Sequence, residues 1–218
     1  MIVRRHNFNS EWWGGEVGIM NPESLDEFED LEIIQEMDGY NWVELKLDGR
    51  NDLPTERLGR LGFEYFDTQI AFRVSLRGID TSPSVDGIVV ETASDRKFSI
   101  EPDEILDFSH DRFSRIHGCT ARKARERYSM WGNNLIDSHP NFALKMTSSG
   151  IVQGYFIGCR NESGFELSLA MLGTKSNITG MHLYQRALKA YEEMGERVGK
   201  ASFSVFNTPV LNIYSELN

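Results

Sequence analysis

Between Phe142 and Met194 the sequence runs through a hairpin, a third strand, a polar loop and an amphipathic helix, and this order constrains the fold more than any single residue. Phe142–Thr147 and Ile151–Cys159 read as strands joined by the turn Ser148-Ser149-Gly150. Gly164–Leu172 reads as a third strand, and Gly173–Thr179 as a polar loop. The helix after it, to about Met194, puts Tyr184, Ala187, Leu188 and Tyr191 at i, i+3, i+4 and i+7 on one apolar face. Ala201–Phe206 reads as a further strand and Pro209–Leu217 as a last helix with proline at its start.

Upstream, Gly87–Glu91 reads as a strand and Glu101-Pro-Asp-Glu opens a helix through about Phe108. Thr120 caps a longer helix to about Ile136, with Arg122, Lys123, Arg125 and Arg127 on its wet side. The first third alternates strand and helix signals. Met1–Arg5 is a strand, Asn21-Pro-Glu-Ser opens a helix to about Met37, and Tyr40–Leu47 is a strand. Asp52–Leu61 is a short helix, and Phe63–Leu76 reads as one or two strands. Gly78–Asp86 collects Gly, Asp, Thr, Ser and Pro with no large apolar cluster, which marks a domain boundary. The expectation is two regions, 1–80 and 81–218.

The chain has 218 residues, enough to bury a core without staples. A net charge of −10 argues against a nucleic-acid footprint, which needs a basic face, but leaves room for a phosphate-bearing ligand held by a few local donors. Two cysteines, Cys119 and Cys159, exclude a disulfide framework and any zinc site built on paired thiolates; no metal is expected. No apolar run approaches the roughly 18 residues of a membrane span. The start has two arginines but no apolar core after them. The expectation is a soluble, cytoplasmic protein with no membrane partner.

The loop Lys175-Ser176-Asn177-Ile178-Thr179-Gly180-Met181 leads into the amphipathic helix. The first N–H groups of a helix lack internal partners and sit at the positive end of its dipole. A strand–loop–helix start of this kind holds phosphate or pyrophosphate, and equally serves as an ordinary connection. Gly180 permits close approach and Lys175 supplies charge. No Walker loop is present, and no G-x-G-x-x-G follows a strand.

The order of elements and these residues together resemble the GNAT N-acetyltransferase superfamily, a mixed α/β (α+β) fold whose pyrophosphate loop of the type Arg/Gln-x-x-Gly-x-Gly binds acetyl-CoA. Here that loop is Lys175-x-x-Ile178-x-Gly180. The helix Leu183–Tyr191, the strand Ser202–Phe206, and Asn207 followed seven residues later by Tyr214 match as well. Trp12-Trp13-Gly14, Leu61-Gly62-Phe63, Arg112-Phe113 and Tyr128-x-x-Trp131-x-x-Asn134 narrow the likeness to the branch that acetylates a nucleotide-linked 4-amino-4,6-dideoxyhexose, the TDP-fucosamine acetyltransferases. The resemblance implies a partial GNAT-like region over 1–80 and a GNAT domain over 81–218. Two departures stand out. Ile178 occupies the place of the loop's first glycine, where a side chain crowds a pyrophosphate. The family's last strand has no counterpart after the final helix: either the chain is cut short, or another subunit, as in a homodimer, fills that gap.

The chemistry so implied is direct attack of a neutral amine on the thioester of acetyl-CoA. The resemblance assigns the oxyanion donor to backbone N–H groups near Met171 and Leu172. It assigns the acid for the leaving thiolate to Tyr214, which otherwise is a core tyrosine, and the base to Glu166, which otherwise is a solvated strand residue. Asn207 is a helix cap, a hydrogen-bond partner of pantetheine, or both. Arg112 forks onto a nucleotide diphosphate or pairs with Asp111. Two rival readings stand beside the amino-sugar one: acetylation of another small amine, such as an antibiotic or polyamine, and a non-catalytic CoA-binding module.

Overall fold

The structure, a computed structural model, describes residues 2–22, 25–81, 87–108 and 111–217. The chain divides into two compact units, Met1–Phe66 and Asp67–Asn218.

The first unit runs β1 (Arg4–Arg5), α1 (Asn7–Trp13), β2 (Val17–Met20), α2 (Asp30–Met37), β3 (Trp42–Leu45) and α3 (Thr55–Arg60). Its three strands form one sheet, β1 antiparallel to β2 and β2 parallel to β3. The core is Val3, Met20, Leu25, Ile33 and Leu61. The helix expected from Asn21 is interrupted: a 3-10 turn at Leu25–Glu27 precedes α2, and Glu23 and Ser24 of the expected helix start lie outside the described residues. Arg57 explains the break. Its guanidinium takes the carbonyls of Leu25 (2.8 Å) and Phe28 and the carboxylate of Asp30 (2.6 Å). A continuous helix needs those carbonyls for its own ladder.

The second unit runs β4 (Gln69–Ser75), β5 (Ile88–Thr92), α4 (Ala121–Ser138), β6 (Ala143–Ser148), β7 (Ile151–Asn161), β8 (Gly164–Leu172), α5 (Gly180–Glu193), β9 (Val198–Ser204) and α6 (Thr208–Glu216). Six strands form one mixed sheet in the order β4-β9-β8-β7-β6-β5. All neighbours are antiparallel except β8 and β9, which the α5 crossover makes parallel. Helices cover both faces. Leu183, Tyr184, Ala187, Leu188 and Tyr191 of α5 and Tyr214 of α6 pack with Leu144, Phe156, Phe165 and Leu167 on one face. Ile136 of α4 packs with Tyr155, Ile157, Leu169 and Met171 on the other. The architecture is mixed α/β with helices flanking a mixed sheet, as the sequence order implies.

Two expectations are corrected. The boundary falls at Phe66/Asp67, not at residue 80, because β4 pairs antiparallel with β9 along its whole length, from Gln69↔Ser204 to Ser75↔Val198. The expected linker thus follows a strand of the second unit; its residues 82–86 lie outside the described residues. β4 is the neighbour of β9 at that edge of the sheet. Finally, the helix expected over Glu101–Phe108 is a single 3-10 turn, Pro102–Glu104. Ile105 is fully buried and bridges Gly173, so the chain is extended there.

Candidate active site

Strands β8 and β9 share a ladder only where Phe165–Leu167 meets Gly199–Ala201. Beyond it β8 continues to Leu172 and β9 to Ser204 without pairing each other, so the sheet opens as a fork. A β-bulge falls at the vertex: Ile157 pairs with Leu169 and Gly158 with Leu167, leaving Ser168 as the extra residue. The bulge reverses the faces of β8. Phe165 and Leu167 lie with the α5 core, whereas Leu169 and Met171 lie with the α4 core.

The backbone of β8 beyond the bulge presents groups to the fork in alternation. Gly173 N–H donates to the carbonyl of Gln153 on β7 (3.0 Å). Alternation then turns the backbones of Leu172 and Ala170 the other way, toward β9, and that of Met171 toward β7. Leu106 N–H meets the Leu172 carbonyl from the fork side at 2.9 Å, and Thr174 N–H donates to the Glu104 carbonyl at 2.9 Å. The extended segment 104–106 thus closes the end of the fork along β8. Of the two backbone donors expected, Leu172 faces the fork; Met171 faces β7 and buries its side chain against α4.

The loop 173–179 sits at the end of β8 and delivers the chain to α5. Thr179 caps α5 through its Oγ1, which accepts from His182 N–H at 3.5 Å and lies 3.0 Å from His182 Nδ1. Gly180 and Met181 contribute the first N–H groups of the helix. Lys175 and Asn177 are exposed. Ser176 donates through Oγ to the Gln153 side chain (3.1 Å), and Asn177 N–H donates to the same Oε1 (3.0 Å). Ile178, expected to crowd the loop, packs down onto the α5 core. Gly173 is required by close approach: a Cβ there would meet the Val152 carbonyl oxygen at 2.4 Å.

Asn207 caps α6, its Oδ1 accepting from Val210 N–H at 3.3 Å, and stands just beyond the end of β9. Tyr214 is buried on α6. Its ring stacks on Phe203 (5.3 Å), tilts against Phe72 (5.7 Å) and meets Tyr184 edge-on (5.7 Å). Burial, and secondarily the neighbouring Tyr184 and Tyr191, push its phenol well above the usual range near 10. The hydroxyl stays protonated at any working pH. Glu166 lies at the vertex of the fork, pairing with Lys200 of β9 and Cys159 of β7. It stands six residues before Leu172, roughly 20 Å along the strand.

Sequence reasoning named Arg112, Phe113 and Tyr128 but missed how they gather with Arg115 and Arg127 into a wall beside the fork. Arg115 lies over the ring of Phe206, 4.4 Å from its centroid, which brings the 3-10 turn Arg112–Arg115 to the chain just after β9. Arg112 lies over Phe113 at 4.7 Å, beside Asp111. Arg127, expected on the wet side of α4, is buried with its guanidinium 3.6 Å from the Phe113 centroid. Asp111 accepts from Tyr128 Oη at 2.6 Å and from Phe113 N–H at 3.1 Å. Its carboxyl is pushed up by desolvation, against the pull of Tyr128, Arg127 and Arg112. Cation–π pairs linking residues far apart in the sequence carry no local signature, which is why this wall was not legible.

Among the described residues no group of three or more His, Cys, Asp or Glu side chains could hold a metal ion. None of their helices is long and apolar enough to cross a membrane. No protein-family model matches the chain, and no curated protein matches it. Among solved structures it is similar to a GCN5-related N-acetyltransferase from Sphaerobacter thermophilus, at 12% identity and a TM-score of 0.47. That match covers 75% of this chain and 50% of the other, so the chain spans half the length of that structure. It is also similar to the C-terminal domain (DUF2156) of a protein described as a lysylphosphatidylglycerol synthetase from Agrobacterium fabrum. There the identity is 9% and the TM-score 0.33, over 93% of this chain and 68% of the other.

Proposed function

We propose that the chain is an acetyl-CoA-dependent N-acetyltransferase that transfers the acetyl group directly to the amine of a nucleotide-linked amino sugar of the 4-amino-4,6-dideoxyhexose type. The observation that carries the reading is the fork between β8 and β9 opening beside the loop that caps α5. An unpaired strand edge offers amide hydrogen bonds to an extended arm such as pantetheine. A helix start offers donors and a positive dipole end to a pyrophosphate. With Ile178 turned into the core and the Ser176 and Asn177 N–H groups engaged by Gly173 and Gln153, the helix start at Gly180 and Met181 is what the loop offers to the phosphates.

In the proposed reaction the acceptor nitrogen attacks the thioester carbon, the carbonyl oxygen takes the negative charge, and the C–S bond then breaks. Leu172 N–H, facing the fork, donates to the developing oxyanion, usually the largest single contribution to such catalysis. Water at the site accepts the proton lost by the amine, because Glu166, the base implied by the resemblance, stands roughly 20 Å along β8 from Leu172 and does not reach it directly. Tyr214 donates toward the departing sulfur. A phenol raised so far above a thiol of about 8–9 gives up its proton against a gradient, so its contribution is chiefly a hydrogen bond to the sulfur. Asn207 both caps α6 and offers its amide to the pantetheine arm. Arg112 and Arg115, carried to the end of β9 by the Phe206 contact, support an acceptor bearing a diphosphate. CoA acts as co-substrate, and no metal takes part.

A second reading, a CoA-binding module without turnover, is favoured by Tyr214, whose ring is enclosed by Phe72, Phe203 and Tyr184. Calorimetric titration with acetyl-CoA, followed by thiol release with a nucleotide-linked amino sugar, a polyamine and an aminoglycoside, tests both. Heat of binding with thiol release on the sugar alone is expected. Binding without release on any amine leaves the module; no heat defeats both readings.

A further inference from the structure

We infer that Gln153 is the positioning residue of the CoA phosphate loop: its buried side chain holds the loop in the shape that presents backbone donors to the pyrophosphate. The inference rests on the proposed function. Gln153 is fully buried although polar, and it is the extra residue of a β-bulge, since Met146 pairs with Gly154 and Thr147 with Val152. A bulge re-aims a side chain. Here Val152 and Tyr155, three apart, both pack with the α4 core, which leaves Gln153 and Gly154 to the α5 side.

The single residue then holds the loop at both ends. Its carbonyl accepts from Gly173 N–H at 3.0 Å, where the loop leaves β8. Its Oε1 accepts from Ser176 Oγ at 3.1 Å and from Asn177 N–H at 3.0 Å, just before the turn into α5. Its Nε2 donates to the Ile151 carbonyl at 3.3 Å, which fixes the amide's orientation and leaves the oxygen toward the loop. The Asn177 N–H is turned inward to Gln153, and the loop then delivers the chain to Gly180 and Met181, whose N–H groups open the helix and have no partner within it. An alternative acceptor, water, would leave the loop free to sample other shapes, and binding would then bear the cost of ordering it.

The test uses the full chain and the variant Gln153→Met, which keeps the length and removes both amide groups. Hydrogen exchange at the Asn177 amide, measured without ligand, is expected to quicken by roughly tenfold or more. The dissociation constant for CoA is expected to rise about tenfold, the worth of one to two hydrogen bonds. Transfer from S-acetylpantetheine, which lacks the diphosphate, should keep its rate, whereas a merely structural lesion would slow both donors alike. If Gln153→Met does not fold, Ser176→Ala removes one of the two donors without touching β7, and a CoA affinity lowered about threefold is expected. CoA binding within twofold of wild type with unchanged exchange at Asn177 overturns the inference and leaves the proposed function standing. A wild-type chain that binds no CoA defeats the proposed function, and the inference with it.

Discussion

Tyr214 and Ile178 show how far a residue's type and its place can part. As a residue type Tyr214 suits proton donation to a thiolate; its place, at 1% exposure among three aromatic rings, suits packing. Tyr214→Phe keeps the ring and separates the two. If the hydroxyl serves the departing sulfur, turnover falls by roughly 10² with CoA affinity unchanged, because the contact strengthens mainly in the transition state. If the hydroxyl is only a satisfied core group, the variant keeps its rate and loses about 1 kcal/mol of stability. Steady-state kinetics and a melting curve on one preparation distinguish them. Ile178 is the converse case. The motif marks it as an intruder in the loop, whereas its side chain belongs to the core under α5. Ile178→Gly therefore trades packing for chain entropy and should cost roughly 1–3 kcal/mol in denaturant unfolding. A variant as stable as wild type would show that the packing contributes nothing.

At the scale of elements, the hairpin, the third strand and the crossover to β9 were legible because their periodicities are strong and local. The Thr120 helix was legible for the same reason, whereas Met1–Arg5 and Tyr40–Leu47 form strands only over Arg4–Arg5 and Trp42–Leu45, with Met1 outside the described residues. The allegiance of β4 was not. Gln69–Ser75 reads as a strand, but nothing within it says that its partner lies some 130 residues later in β9. Register along a sheet edge is a tertiary fact. The fork was equally hidden, since it exists only where two strands fail to pair. The membership of β4 has a measurable consequence. Val74 and Leu76 are buried in the α5 core, and Leu76 N–H donates to the Arg197 carbonyl at 3.0 Å. Leu76→Ala should destabilise the second unit by about 2–5 kcal/mol. Under a boundary at residue 80 the same change would fall in the first region. Native-state hydrogen exchange locates the loss: faster exchange in β9 is expected, and a loss confined to residues 2–66 would refute the assignment.

Taken over the whole molecule, the second unit is held by aromatic side chains whose hydroxyls are buried with them. The single hydroxyl proton of Tyr191 is shared between the carbonyls of Phe142 and Phe156, both at 3.0 Å, and Tyr155 donates to Glu104 at 2.8 Å. Desolvation pushes the phenols of Tyr128, Tyr155, Tyr184, Tyr191 and Tyr214 above their ordinary value of 10. A group whose folded pKa lies above its unfolded one gives stability that is intact below the unfolded value and is lost as pH rises past it. Here the window opens at about pH 10. Each buried phenol then withdraws roughly 1.4 kcal/mol for every pH unit gained, until its folded value is reached. Five acting together withdraw about 7 kcal/mol per unit, against a total stability for a domain of about 5–15 kcal/mol. The protein should keep its melting temperature up to about pH 10 as far as these groups are concerned, and unfold cooperatively between about pH 11 and 12. Phenolate absorbance at 295 nm and far-ultraviolet circular dichroism, followed on one sample, check this. The buried block of tyrosines should ionise in the same narrow step that melts the secondary structure. Tyr184→Phe, with one phenol fewer, should make that step shallower and move it to higher pH. Ionisation of all seven tyrosines along a smooth curve, with the circular dichroism intact, would mean that water reaches these hydroxyls and that the aromatic core is not the closed layer described.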